Sequence, residues 1–580
     1  MTQPMVIADA QYRAMQNLRD LSLGSFRRMF KKEPLRIIEP EPGDQRFRHE
    51  SWATNPVFNV IEQNYLIWRR WLLDMVDEVS DLSEADRRYV RFFTEQMVDA
   101  LAPSNFLLTN PTVIRETIND RGTNLLVGLS HLLRDLDQNR GYPLFRMTDP
   151  DAFRIGENIA NTPGEVIYQN DLMQLIQYCP ATAKVFRRPL LVVPAWINKF
   201  YVMDLGEKKS MVRYWLSQGH TVFMISWVNP REEHAYKGFE DYMLEGPVAA
   251  LDAIERATGQ REVNAAGYCI GGTLLAATLG WLAARNDDRI KSASFFASLL
   301  EFSEVGDLKV FINEDIIRDL DAAMKKQGYL DGKSMAIAFN MLRPNSLMWP
   351  FFINNYLLGR EPMPFDLLHW NCDSTAMPAA MHSFYLREMY LNNRLCEPGG
   401  ITLAATPIDL GKVKIPVYYV AAMEDHIAPW TSCYRGTRFL GGKVRFVLAG
   451  SGHIAGIVNP PEKQKYGVSG FYGYRVSENT GLPPDSWVKE NDHRPGSWWL
   501  DWAEWIRSLS GEEVDARIPG EGDLPVIEPA PGSYVVNRPA PSIPQGEAVR
   551  AVGRSRSGKK ARPASNRKAK QTASSSAKDA

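Results

Sequence analysis

The chain has 580 residues, 44% of them hydrophobic and 23% charged, with a mean hydropathy of −0.29 and a formal net charge of −1. These values indicate a globular protein with one large and one smaller domain, or two to three ordinary ones, and no apolar run is long enough to span a bilayer. The five cysteines form neither a CxxC pair nor zinc-finger spacing, so we expect neither a disulfide framework nor a metal site.

The N-terminal region is predicted to be helical. Residues 57–80 (VFNVIEQNYLIWRRWLLDMVDEVS) and 123–139 (TNLLVGLSHLLRDLDQN) space apolar residues three and four apart, with charges between them. We assign residues 1–170 to a helical N-terminal domain, in which we find no catalytic constellation. The first 22 residues lack a basic stretch followed by an apolar one, so we expect a cytoplasmic protein.

An α/β domain is predicted over residues 171–530. Six short runs rich in Val, Ile, Phe and Tyr alternate with helical spacing: PLLVVPAWI, HTVFMISWV, EVNAAGYC, KSASFFASLL, KIPVYYVAAMED and KVRFVLAGSGH. Apolar runs that alternate with helices are typical of a mostly parallel sheet. The interval between the fourth and fifth runs, residues 301–413, is predicted to form a cap over the active site.

Residues 531–580 are predicted to form a disordered basic tail, because their composition buries too little apolar surface to offset the ordering entropy. From Glu547 onward there are ten Lys/Arg and two Asp/Glu, a net charge of +8, so the rest of the chain has a net charge of −9. Such a tail either keeps the protein soluble or makes a weak contact with nucleic acid or an anionic surface.

The stretch AAGYCIGGT, residues 265–273, places a cysteine where α/β-hydrolases normally hold a serine. A predicted strand precedes this turn and a predicted helix follows it, as in a nucleophile elbow. Gly267 and Gly271 flank the turn where side chains would collide, and Cys269 projects above the sheet. The N-terminal end of the following helix favours a thiolate at Cys269.

Two later strands end in residues that complete a catalytic triad. In the hydrolase order, an acid and then a histidine follow the nucleophile, each on a turn after a later strand. Asp425 and His453 occupy these positions. The alternatives are Glu424 for the acid and His426 for the base. His426 adjoins Asp425 in the chain, a poor geometry for a ring that Asp425 must orient, so we place it beside the triad.

The oxyanion hole is expected to use two backbone N–H groups. One belongs to Ile270, directly after the nucleophile. The other is assigned to Ile197, in the loop PAWINKFY after the first strand of the α/β domain.

A cysteine nucleophile suits acyl transfer better than hydrolysis. Exchange of a thiol with a thioester gives another thioester of similar energy, so the acyl group stays activated until an alcohol accepts it. The sequence therefore suggests transfer of an acyl group from a coenzyme A thioester.

Seven motifs together resemble those of polyhydroxyalkanoate synthases of the single-subunit class I type, in the same order and over roughly residues 105–505. They are INKFYVMDL, GHTVFMISWVNP, GYCIGGT, RPNSLMWPFFINNYLLG, PFDLLHWNCDSTAMP, EDHIAPW and SGHIAGIVNPP. The resemblance implies an α/β-hydrolase fold and an acyltransferase that polymerises (R)-3-hydroxyacyl-CoA, most simply 3-hydroxybutyryl-CoA, with release of coenzyme A.

The resemblance also implies residue roles and partners. Cys269 is the nucleophile that carries the growing chain, His453 is the general base, and Asp425 completes the triad, either by orienting His453 or by helping to deprotonate the 3-hydroxyl. No metal or bound cofactor is implied. The expected partners are a second copy of the chain and the surface of a cytoplasmic polymer granule with its associated proteins, without insertion into a membrane.

Two rival hypotheses remain open from the sequence. The triad would also serve an esterase or a depolymerase of the same polymer. A non-catalytic granule-coating protein is the other, but it has no need for three catalytic residue types on three successive hydrolase turns.

Overall fold

The computed structural model describes residues 4–28, 36–41, 43–139, 142, 144–461 and 473–536. Helices alternate with strands over most of this length after residue 160. The helices are α1 (Pro4–Arg28), α2 (Ser51–Thr54), α3 (Pro56–Glu78), α4 (Glu84–Ala100), α5 (Pro111–Asn119), α6 (Thr123–Gln138), α7 (Met211–Ser217), α8 (Phe239–Met243), α9 (Ala249–Thr258), α10 (Ile270–Ala284), α11 (Glu314–Gln327), α12 (Gly332–Leu342), α13 (Pro344–Leu347), α14 (Trp349–Phe352), α15 (Asp366–Cys372), α16 (Ala379–Phe384), α17 (Trp430–Gly436), α18 (Pro484–Glu490), α19 (Trp499–Arg507) and α20 (Ser533–Val536).

The strands differ widely in length. They are β1 (Gly164–Gln169), β2 (Met173–Tyr178), β3 (Lys184–Phe186), β4 (Leu190–Val193), β5 (Val222–Trp227), β6 (Val263–Tyr268), β7 (Ile290–Phe296), β8 (Tyr329–Leu330), β9 (Met377–Pro378), β10 (Thr402–Leu403), β11 (Thr406–Pro407), β12 (Val417–Ala422), β13 (Val444–Ala449), β14 (Gly473–Ser477), β15 (Arg494–Pro495), β16 (Glu513–Asp515) and β17 (Glu528–Pro529).

One 11-stranded sheet organises the molecule, in the order β15-β14-β13-β12-β7-β6-β4-β5-β2-β1-β17. Its six central strands, β13 to β5 in that order, are parallel and correspond to the six apolar runs of the sequence. All six bury nearly every residue, because helices cover both faces of the sheet. The α/β prediction is therefore confirmed, and the fold is that of an α/β-hydrolase.

The two edges of the sheet are antiparallel and were not predicted. β1 and β2 extend one edge beyond β5, and β14 and β15 extend the other beyond β13. β1 lies inside the range 1–170 that we assigned to the helical domain, so the sheet begins before the expected boundary. Edge strands of this kind carry polar residues among the apolar ones, as in GEVIYQ, and resemble loops in the sequence.

The predicted helices of the N-terminal region are present as α3 and α6, but α6 buries the face opposite to the one its pattern favours. Asn124, Gly128, His131 and Asp135 are its buried residues. They meet the segment 353–357 of the insertion between β7 and β12: Asn124 Nδ2 donates to the carbonyl of Leu357 (2.8 Å), and His131 Nδ1 donates to that of Asn355 (3.1 Å). Four leucines of α6, Leu126, Leu129, Leu133 and Leu136, face outward.

The start of the predicted tail is ordered, contrary to the expectation for residues 531–580. Residues 533–536 form α20, where Val535 is buried and its carbonyl accepts a hydrogen bond from Lys199 Nζ (2.9 Å). Tyr534 and Val535 supply the apolar surface that the composition of the whole tail lacks. The rest of the tail, from residue 537, lies outside the described residues. In the described ranges, no helix is both long enough and apolar enough to cross a membrane.

Candidate active site

The turn between β6 and α10 holds Cys269 in the geometry of a nucleophile elbow. Cys269 has φ +53° and ψ −128°, a strained backbone conformation, and α10 begins at the next residue. Added Cβ atoms would lie 2.4 Å from the Gly272 Cα at Gly267 and 2.3 Å from the Val193 carbonyl oxygen at Gly271. The glycines flanking the cysteine are therefore required by close backbone approach, as the sequence predicted.

Asp425 and His453 follow β12 and β13, and the structure brings them together. His453 Nδ1 lies 2.6 Å from Asp425 Oδ2, and both side chains are buried. The other oxygen of Asp425 accepts hydrogen bonds from the backbone N–H groups of Ile427 and Ala428, both at 2.8 Å. These three bonds fix the carboxylate in one orientation.

His453 joins the acid to the nucleophile. A side-chain hydrogen bond links it to Cys269, and because Nδ1 faces Asp425, this bond uses Nε2. Burial alone would lower the pKa of His453, but the nearby charges of Asp425 and Cys269 and the hydrogen bonds to both raise it well above its usual value. The three sequence-predicted triad residues therefore form one hydrogen-bonded chain with a ring that readily holds a proton.

The two alternatives from the sequence are not part of this chain. Glu424 is exposed to solvent. Burial, followed by the Arg343 guanidinium, lowers the pKa of His426 to about 4, so its ring is neutral near pH 7. In the described part of the chain, His426 makes no side-chain hydrogen bond to a triad residue. The charge of Asp425 raises the pKa of His426 and that of His453 lowers it, but burial has a larger effect than either.

The two predicted oxyanion donors lie on backbone segments that touch. The carbonyl oxygens of Val193 and Pro194, at the start of the loop that leads to Ile197, closely approach Gly271 in the first turn of α10. Within the described residues, neither the Ile270 N–H nor the Ile197 N–H has a hydrogen-bond partner. Both donors are therefore available, and their role stays a prediction.

Three tyrosines that the sequence did not single out, Tyr268, Tyr385 and Tyr390, lie near Cys269. Tyr268 packs its ring 5.6 Å from that of His453. Tyr385 and Tyr390 belong to a π-helical segment, Tyr385–Leu391, within the region predicted as a cap. The Tyr385 ring lies 5.6 Å from Trp196 and 5.7 Å from Tyr390. Their motif, SFYLREMYLNN, carries no signal that separates wall residues from ordinary packing.

Besides burial, the charge of Cys269 also raises the pKa values of Tyr385 and Tyr390. Burial first, and then the charges of Cys269 and Asp425, raise the pKa of Tyr390, so its phenol keeps its proton. Tyr385 contacts α10, the helix that follows the nucleophile, where its hydroxyl lies 3.4 Å from Thr273 Oγ1. The insertion therefore supplies an aromatic, protonated wall beside the nucleophile.

Comparisons with known proteins bear on both halves of the chain. Residues 43–215 match the family model described as "Poly-beta-hydroxybutyrate polymerase (PhaC) N-terminus", and residues 188–460 match the model of the alpha/beta hydrolase fold. The solved structure of an enol-lactonase from Burkholderia xenovorans LB400 is similar over 49% of this chain and 91% of its own, at 14% identity and a TM-score of 0.25. A TM-score this low supports no conclusion about this chain.

Curated relatives match most of the chain. A poly(3-hydroxyalkanoate) polymerase of Methylorubrum extorquens is 50% identical over 86% of this chain and 82% of its own length. The poly(3-hydroxyalkanoate) polymerase subunit PhaC of Rhizobium meliloti is 51% identical over 85% and 79%, and that of Cupriavidus necator is 39% identical over 85% and 83%.

Proposed function

Because this chain belongs to the poly(3-hydroxyalkanoate) polymerases, we propose that it polymerises (R)-3-hydroxyacyl-CoA through an acyl intermediate on Cys269. The family makes the protein an acyltransferase-type synthase. The observation that carries the mechanism is the hydrogen-bonded chain from Asp425 through His453 to Cys269.

In the first half-reaction, the Cys269 thiolate attacks the carbonyl carbon of the coenzyme A thioester. The negative charge that develops on the carbonyl oxygen is stabilised by the N–H groups of Ile270 and Ile197. The carbon–sulfur bond to coenzyme A then breaks, and His453 gives its proton to the departing thiolate. The products are free coenzyme A and a hydroxyacyl thioester on Cys269.

In the second half-reaction, a 3-hydroxyl group attacks the acyl-Cys269 thioester. His453 takes the hydroxyl proton, an ester bond forms, and the bond to the Cys269 sulfur breaks. Asp425 orients His453 and stabilises its protonated form; this assignment is supported by the three hydrogen bonds that already occupy its carboxylate. The chain thereby grows by one unit without loss of the activated acyl group to water.

The substrate that we propose is 3-hydroxybutyryl-CoA, which has a short side chain. The support is the close aromatic wall of Trp196, Tyr385 and Tyr390 and the polymer named by the matching N-terminal family model. No metal or bound cofactor enters this mechanism.

We also propose that α6 contacts the polymer granule in the cytoplasm. Leu126, Leu129, Leu133 and Leu136 are between 43% and 72% exposed on one side of the helix, opposite the buried face that contains Asn124, His131 and Asp135. We call these four residues the leucine face. An exposed apolar stripe suits an aliphatic polyester, whose surface offers no ionic partners. Homodimer formation remains a prediction of the family resemblance.

The reaction is tested with purified protein and (R)-3-hydroxybutyryl-CoA. We expect release of coenzyme A thiol together with polyester, detected by mass and turbidity, and loss of both in Cys269→Ala. Thiol release that yields only free 3-hydroxybutyrate would identify an esterase instead. No thiol release at all would favour a coating protein.

A further inference from the structure

A cavity lies outside the triad, at the carboxyl end of β5. Its volume is about 390 Å³, and Val228 and Asn229, the residues that follow β5, form part of its wall. Asp171 lines it from the turn between β1 and β2, where the Leu172 carbonyl accepts a hydrogen bond from the Val228 N–H (2.8 Å). None of the steps described above uses this cavity.

One buried hydrogen-bond donor of the cavity wall lacks a partner among the described residues. Asn229 is 5% exposed; its Oδ1 accepts from the Ala376 N–H (3.0 Å), while its Nδ2 has no partner among the described residues. His234, also in the wall, accepts a hydrogen bond at Nδ1 from the Arg231 N–H (3.1 Å). A buried amide donor without a partner is costly, which indicates that a ligand or solvent satisfies it.

The cavity also holds cations and an exposed aromatic ring. The guanidinium of Arg231 makes no ion pair in the ranges that the structure describes, whereas Lys237 Nζ is held 2.5 Å from Glu245 Oε1. Tyr236 is 69% exposed, and Lys237 Nζ lies 5.4 Å from its ring centroid. Carboxylates are present as well, at Asp171 and Glu233. This mixture fits a ligand with anionic groups, an aromatic ring and hydroxyls better than a bare anion.

A short segment of the insertion joins this cavity to the active site. Thr375 Oγ1 donates to the Trp196 carbonyl (2.6 Å), and the Thr375 N–H donates to the Ile197 carbonyl (3.4 Å). The next residue is Ala376, which bonds Asn229. In the sheet, β4 alone separates β5 from β6, and neighbouring strands lie roughly 4.8 Å apart. The cavity and Cys269 therefore open from the same edge of the sheet, on either side of the Ile197 loop.

From this arrangement we propose that the cavity binds the phosphorylated adenosine end of the coenzyme A thioester; the proposal rests on the function proposed above. Arg231 and the Asn229 amide would hold phosphate oxygens, the adenine would stack on Tyr236, and the carboxylates would accept from ribose hydroxyls. The pantetheine arm would then run past Thr375 to place the thioester carbonyl beside Cys269.

Binding is tested on the full chain carrying Cys269→Ala, so that no turnover intervenes. Isothermal titration uses adenosine 3′,5′-bisphosphate as the probe, with inorganic phosphate in a parallel titration. We expect saturable binding of the nucleotide, much weaker binding of phosphate, and a loss of about 10-fold in nucleotide affinity with either Arg231→Ala or Asn229→Asp. Asn229→Asp keeps the acceptor for Ala376 but replaces the free donor with a negatively charged carboxylate oxygen.

Arg154→Ala, at a well exposed arginine that pairs with Glu157, is the matched control and should bind like the parent. Absence of nucleotide binding, or equal binding by the Arg231→Ala variant, would overturn the proposal. Equal affinity for phosphate and nucleotide would do so as well, because Tyr236 and the carboxylates would then contribute nothing.

Kinetics separate this proposal from the proposed function. With active enzyme, Arg231→Ala should lower the ratio of kcat/KM for 3-hydroxybutyryl-CoA to kcat/KM for 3-hydroxybutyryl-pantetheine about 10-fold, since the pantetheine thioester lacks the nucleotide. An unchanged ratio would contradict the cavity assignment. If the parent enzyme used neither thioester, the proposed function would fail, while the titration would still decide whether the cavity binds a nucleotide.

Discussion

The carboxylate of Asp425 sets both the orientation and the pKa of His453. It contributes both charge and a hydrogen bond to the raised pKa of the ring, and burial acts in the opposite direction. In Asp425→Asn the pKa of His453 should therefore fall, and the ring loses its preferred orientation. We expect kcat to fall about 10³- to 10⁴-fold, as for orienting aspartates in other triads, and the high-pH limb of the activity profile to move to lower pH.

The measurement is the pH dependence of coenzyme A release. Glu424→Gln is the control, because Glu424 adjoins Asp425 in the chain but is exposed. If Asp425→Asn reduced kcat no more than Glu424→Gln does, the orienting role would be wrong.

A second residue, Glu62 on α3, should make the stability of the protein depend on pH. Glu62 is 1% exposed, and burial raises its pKa to about 7 despite the Arg36 charge and a hydrogen bond from Asn59. The folded state therefore binds a proton that the unfolded state releases between about pH 4.5 and pH 7. Stability should fall as pH rises through this window, because the buried carboxylate becomes charged.

Glu62→Gln keeps the acceptor for Asn59 and cannot titrate. We expect its melting temperature to exceed that of the parent by more at pH 8 than at pH 5. Glu84→Gln, at an exposed glutamate of α4, should show no such difference. Equal shifts of Glu62→Gln at both pH values would contradict the assignment.

Among the elements, the first turn of α10 is the most tightly constrained. A Cβ at Gly271 meets the backbone carbonyls of Val193 and Pro194, which only a shift of the Ile197 loop can relieve. A Cβ at Gly272 meets the Ser298 side chain, at 2.0 Å from Oγ. Both alanine variants should lose stability, by about 1–3 kcal/mol or more.

Of these two losses of stability, only that of Gly272→Ala can be relieved by shortening a neighbouring side chain, because the clash at Gly271 is with backbone atoms. Ser298→Gly should restore part of the melting temperature and activity of Gly272→Ala and none of Gly271→Ala. Rescue of both variants, or of neither, would show that the close contacts at the elbow differ from those described.

At α6, charged substitutions in the leucine face should weaken binding to the polymer granule. Leu129→Asp together with Leu133→Asp should leave the melting temperature nearly unchanged, because both side chains are more than half exposed, and should reduce sedimentation of the protein with polyester granules several-fold. Leu500→Asp, at a leucine of α19 that is 58% exposed, is the matched control. Equal granule binding by the double variant and the parent would contradict the proposed contact.

For the molecule as a whole, the sequence predicted the parts whose pattern is local. The six parallel strands follow from apolar runs such as LLVV and VYYVAA, and the order nucleophile, acid, histidine placed Cys269, Asp425 and His453 after three of these strands. Parallel strands direct their carboxyl ends to one edge, so three residues far apart in the chain meet there.

The features that the sequence could not predict depend on contacts between residues that are distant in the chain. Periodicity marks α6 as amphipathic but does not tell which face is buried. Its polar face is buried because the carbonyls of Asn355 and Leu357, in the insertion, accept hydrogen bonds from His131 and Asn124. In the same way, nothing in SFYLREMYLNN indicated that Tyr390 would lie beside Cys269, since that placement comes from the path of the insertion over α10.

The covalent acyl-Cys269 intermediate is the central claim, and a single-turnover experiment tests it most directly. Enzyme in excess over (R)-3-hydroxybutyryl-CoA is quenched in acid, digested and analysed by mass spectrometry. We predict a hydroxyacyl group on the peptide that contains Cys269, formed at the rate of coenzyme A release and removed by hydroxylamine, with neither acyl peptide nor coenzyme A release in Cys269→Ala. Coenzyme A release by Cys269→Ala at the parent rate, or acylation of a different residue in the parent, would contradict the account.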